Sequence, residues 1–72
     1  MIRMWVFEQD RYGMTENSFS VNNPAFIPRV GEYIESPNST FFGKVETVEY
    51  HYRDECGDYS LVVTVFLEKQ ND

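Results

Sequence analysis

Glu49, His51 and Arg53 stand at alternate positions, so an extended backbone sets all three in a row on one face of a strand. A carboxylate beside an imidazole can orient it for proton transfer, and a guanidinium can stabilise an anion. His51 is the single histidine, and no nucleophile or set of metal ligands accompanies it in the sequence. The row therefore reads as a solvated strand face with local ion pairing, and no catalytic residue is assigned. Asp54, Glu55 and Asp58 bracket a turn at Cys56 and Gly57. Calcium would need several oxygens converging from a longer loop, so no metal site or cofactor is assigned there. With Glu46 and Glu49, however, these carboxylates line one hairpin and could meet a basic cleft, as nucleic-acid phosphates do.

The aromatic set Trp5, Phe7, Phe41, Phe42, Tyr50, Tyr52 and Tyr59 is expected to be mostly core. Were some of it to line a concave face, the rings could stack a nucleotide-like ligand, with Arg29, Lys44 or Arg53 offsetting the phosphate. Trp5, Val62 and Phe66 raise a different expectation. They alternate with core positions on their strands, and an apolar outer patch of this kind suits self-association.

Charge narrows the partners. Asp and Glu number 12 against 6 Lys and Arg, a formal net charge of -6, and the cations Arg3, Arg11, Arg29, Lys44, Arg53 and Lys69 are scattered singly. Binding to a phosphate backbone needs clustered positive charge, so direct nucleic-acid binding is not expected; a protein partner with a basic surface is. Cys56 has no second cysteine to pair with and reads as a free thiol in a reducing compartment. The opening residues turn polar too soon for a signal peptide, and no apolar run approaches membrane-spanning length, so a cytoplasmic protein without membrane contact is expected.

The elements that must carry these residues are strands. The 72 residues fit one small domain, residues 1–72, and 17% aromatic content supplies large apolar area to a core of limited size. Met1 to Gln9 is apolar on both faces; Met4 and Val6 are taken as inward with Trp5 partly exposed, the opposite facing being the alternative. Asp10 to Ser18 reads as a polar, mobile connection, and Phe19 to Asn22 as a short strand stopped at Asn23 and Pro24. Pro28 and Gly31 make a turn that presses Val30 into the core, after which Tyr33 to Glu35 begins a strand. Ser36 to Thr40 breaks it. Phe41 to Asp54 then reads as one long strand whose apolar parity changes between Val45 and Val48, which calls for a bulge near Glu46 and Thr47. In the last strand Tyr59, Leu61, Val63, Val65 and Leu67 share the core face. No stretch has sustained helical spacing, so the fold class is all-β: a small five-stranded antiparallel barrel or strongly bent sheet.

The run Ile27-Pro28-Arg29-Val30-Gly31-Glu32, followed by Gly43-Lys44-Val45-Glu46-Thr47-Val48 and a closing apolar strand, resembles small SH3-like β-barrel proteins. It looks most like the short proteins of bacteria and their phages that carry a Pro-x-Val-Gly-Glu/Asp turn before a Gly-x-Val-x-x-Val strand. The likeness covers residues 26–69 and implies five strands in a closed or nearly closed SH3-like barrel that binds through loops or an exposed edge. The chain lacks the basic stripe of the barrels that grip nucleic acid, and the aromatic and acidic loop pattern of those that take proline-rich peptides.

These readings converge on a non-enzymatic acidic protein-binding module. Its contact residues are taken as Glu46, Glu49, His51, Arg53, Asp54, Glu55 and Asp58, with Trp5, Val62 and Phe66 available for a homo-oligomer. The likeness to phage-type proteins makes an inhibitor that occupies a host protein the concrete form, by nucleic-acid mimicry in one version. The alternative is a protein that sequesters a small nucleotide-like ligand in an aromatic pocket.

Overall fold

The computed structural model describes residues 1–53 and 60–69. Strands β1 (Ile2–Gln9), β2 (Thr15–Asn22), β3 (Tyr33–Glu35), β4 (Phe42–Tyr52) and β5 (Leu61–Leu67) form one sheet in the order β2-β1-β5-β4-β3. Among the described residues there is no helix. The sheet curls into a half-barrel, as the all-β, strongly bent reading requires. The turn expected at Glu55 to Asp58, with Tyr59 and Cys56, lies outside the described residues.

One pairing departs from an all-antiparallel sheet. β1 and β5 run parallel, from Ile2 opposite Leu61 to Phe7 opposite Phe66, while the other neighbours are antiparallel. Parallel neighbours need a long crossover, and here the whole chain from β2 to β4 supplies it. These two strands are also the pair with apolar side chains on both faces, the composition that suits the centre of a sheet. Inward, Met4, Val6, Val63, Val65 and Leu67 are buried with Val45 and Phe41, and Phe19, Val21, Ile27, Ile34 and Val48 pack against them.

The bulge in β4 falls where the parity demanded it. Val45 pairs with Leu67 and Thr47 with Phe66, so Glu46 is the extra residue, and both Val45 and Val48 reach the inner side. Glu46 is tied down there: Gln9 Nε2 donates to its Oε1 at 3.2 Å and to the Leu67 carbonyl at 2.8 Å.

Three local expectations need correction. Val30 is not core; it is 65% exposed, and Pro28 is buried instead. The Glu32 N–H donates to the Arg29 carbonyl at 3.1 Å, so Val30 and Gly31 are the central pair of a turn, Gly31 at φ 96°. The Gly31 amide donates to the Val45 carbonyl of β4 at 2.9 Å, so the turn is held against the sheet by its backbone while the Val30 side chain stays in solvent. The polar stretch before Phe19 is not a long connection either, because β2 begins at Thr15. Asp10 folds the turn onto itself, its Oδ1 accepting from the amides of Tyr12 and Met14, both at 2.9 Å. β2 is an edge strand whose first four residues are exposed, so no apolar alternation announces it. The aromatic set, finally, is not mostly core: Phe41 is buried, whereas Phe42, Tyr50 and Tyr52 are exposed.

Two polar residues close the chain reversals. Asn23, at φ 50°, returns the end of β2 to the start of β1: its amide donates to the Ile2 carbonyl, and its Oδ1 accepts from the Ile2 amide at 2.9 Å. Ser36 is buried at the start of the β3–β4 turn, where its Oγ accepts from the amides of Thr40 at 2.9 Å and Phe41 at 3.2 Å.

Candidate functional site: the outer face of the sheet

Strand pairing settles which side chains share the outer face. Opposite residues lie on the same side of a sheet, so three rows run across it. The first is Asn22, Arg3, Val62 and His51; the second Ser20, Trp5, Thr64 and Glu49; the third Ser18, Phe7, Phe66 and Thr47. Two of the residues expected to bind a partner, Glu49 and His51, thus share a surface with Trp5, Val62 and Phe66, expected to self-associate.

Its centre is aromatic. Trp5 and Phe7 stack with centroids 6.0 Å apart, and Phe7 and Phe66 with centroids 5.5 Å apart. Arg3 lies over Trp5, its Cζ 5.6 Å from the ring centroid, and its Nε donates to Asn22 Oδ1 at 3.2 Å. Trp5, Phe7, Val62 and Phe66 are each half-buried by neighbours, so the apolar side chains of this face are partly exposed among the described residues. Such side chains offer large, rigid contact area at low entropic cost.

The polar flank lies along β4. His51 Nε2 and Glu49 Oε1 are 3.2 Å apart, with side chains 56% and 47% exposed. A contact this open to water contributes little to stability, so its main consequence is to hold two polar groups beside the aromatic side chains. Arg53 follows the end of β4, its amide bonded to the Ser60 carbonyl. Glu46 does not join the row; the bulge carries it to the Gln9 contact at the far end of the strand. Asp54, Glu55 and Asp58 lie outside the described residues. Among the described residues, no three His, Cys, Asp or Glu side chains converge as a metal site would require.

Among the described residues, the aromatics of the alternative pocket are not brought together. Trp5 and Phe7 are on the outer face, Phe41 is in the core, and Phe42, Tyr50 and Tyr52 project into solvent. A cleft does open on the inner side, between β2 and β3, but its rings are Phe19, Phe26 and Tyr33. The sequence held a trace of it, two aromatics flanking the Pro28 to Gly31 turn. The cleft depends on β2 and β3 both being edges, which spacing along the chain does not disclose.

Compared with known protein families, with curated proteins and with solved structures, the chain has no match.

Proposed function

We propose that this chain is a non-enzymatic protein-binding module and that the outer face of its sheet is the contact surface. One observation carries the reading: Trp5, Phe7, Val62 and Phe66, each partly exposed among the described residues, share the outer face with Glu49 and His51 at its border. Protein interfaces favour an aromatic centre inside a polar rim. The net charge of -6 makes a basic surface the complementary partner and disfavours a second copy as occupant. Such a module acts by occupying its partner, as an inhibitor does, and its lone cysteine suits a reducing, cytoplasmic setting.

Two pairs of substitutions test this by different physics. Trp5→Ser with Phe66→Ser removes the apolar centre, and Glu49→Gln with His51→Gln removes the Glu49 carboxylate and the imidazole that border it. Both should leave the circular dichroism spectrum of a folded sheet. Each should deplete the same proteins, at least tenfold, from those recovered with the chain by quantitative mass spectrometry. Recovery unchanged in both variants would exclude the outer face, and concentration-dependent dimers abolished by the first pair would assign it to self-association.

A further inference from the structure

Among the described residues the sheet ends in β2 and β3, so each of these strands has one edge without a strand neighbour there. Between them lies a cleft of about 760 Å3, lined by Phe19 and Val21 of β2, Phe26 and Pro28 of the connecting segment, and Tyr33 and Ile34 of β3. A cavity of this size falls in the range that takes a sizeable ligand. Phe26 is 77% and Tyr33 70% exposed, large apolar groups left in water beside an open strand edge.

A free edge presents alternating N–H and C=O groups to any chain that can lie along it, and proteins usually guard such edges with proline, lysine or a very short strand. β3, with three residues, is guarded by its brevity. β2 is not: it has eight residues, TENSFSVN, without proline or lysine. The inner side of β2 also offers Phe19 and Val21 at alternate positions, the spacing at which an added strand would place its own inward side chains.

Charge selects the occupant. The charged residues among those lining the cleft are Glu32 and Glu35, with no lysine, arginine or histidine in the lining; Lys44, opposite Tyr33, sets its ammonium 5.5 Å from the Tyr33 ring on the side of β3 that Glu35 shares. A nucleotide would bring phosphates to these carboxylates, and a second copy would bring its own net charge of -6. We propose that the cleft binds an extended basic peptide segment of another protein, which adds a strand to the free edge of β2. Apolar side chains on alternate peptide residues enter the cleft beside Phe19, Val21 and Phe26, and lysine or arginine between them reaches Glu32 and Glu35. Main-chain hydrogen bonds supply affinity and alternate side chains supply specificity, as in other cases of strand addition. The site is separate from the outer face, because Met4 and Val21 at its base lie on the inner side of the sheet.

The probe is a blocked synthetic peptide of about seven residues alternating valine and lysine, a length matched to β2 at the rise of an extended chain. It is titrated into the 15N-labelled full chain while amide shifts are followed. The expected result is saturable movement of the amides of Thr15–Asn22 and Tyr33–Glu35, with Thr64 on the outer face unmoved. Of two peptides N-methylated on alternate backbone nitrogens, one should bind at least tenfold more weakly, because one parity of N–H groups faces the β2 edge. Glutamate in place of lysine should weaken binding to a similar degree at low salt, and Glu32→Gln with Glu35→Gln should weaken the lysine peptide several-fold. Absence of saturation at millimolar peptide, shifts confined to the outer face, indifference to both methylation patterns, or equal occupation of the cleft by ATP would each overturn the proposal.

Discussion

Ser36 shows how much one small side chain decides in a domain of this size. Its Oγ accepts from the amides of Thr40 and Phe41 and bonds Thr40 Oγ1 at 2.9 Å, all beneath the entry to β4. Ser36→Ala leaves those amides without that acceptor while Phe41 still fills the core, a loss of about 1–3 kcal/mol. For a chain of this length that lowers Tm by roughly 4–8 °C per kcal/mol, measurable by thermal denaturation, and an unchanged Tm would show that water replaces the hydroxyl. The sequence marked Ser36 as part of a breaker without revealing that it is buried. Val30 teaches the reverse. Its apolar character suggested the core, but the Arg29 to Glu32 hydrogen bond makes it a turn tip, and Pro28, which has no amide to satisfy, takes the buried position. Side-chain hydrophobicity was readable there; the direction of the turn depended on which carbonyl the Glu32 amide found.

At the scale of elements, β4 and β5 were the most legible because period-two alternation reports directly on two-faced strands. The parity change between Val45 and Val48 placed the bulge near Glu46 and Thr47, which the pairing narrows to Glu46, and the alternation in β5 separated buried Val63, Val65 and Leu67 from half-buried Val62 and Phe66. β2 was only half legible, since its exposed edge needs no apolar pattern, and strand direction was not legible at all. Both strands of the parallel β1–β5 pair read the same whichever way they run. The bulge also gives a sharp test. Deleting Glu46 forces either Val45 or Val48 to the outer side, because a one-residue slip exchanges the faces of a strand. Val45 is 1% exposed, so the deletion variant is expected to lose the cooperative urea transition and the amide dispersion of a folded sheet. A variant that kept native-like dispersion would show that the bulge is not what reconciles the two halves of β4.

For the molecule as a whole, topology turns dispersed residues into surfaces. Trp5, Val62 and Phe66 were legible as outer positions, and Glu49 with His51 as a row, but their union required knowing that β1, β5 and β4 are neighbours in that order. The inner cleft was less legible still, since it exists only because β2 and β3 end the sheet. The two surfaces lie on opposite sides of one sheet, so each can be tested without disturbing the other. Thr64 sits at the centre of the outer face, between Trp5 on β1 and Glu49 on β4. The most direct test of a binding role for that face is to replace Thr64 with a photoreactive residue in cells that express the chain. Tyr12, 73% exposed in the β1–β2 turn, is the control position. Irradiation is predicted to join the Thr64 position to a distinct second protein, with a yield that falls as salt screens the net charge of -6 and with no such product from Tyr12. Equal products from both positions, or adducts between copies of the chain alone, would contradict the account.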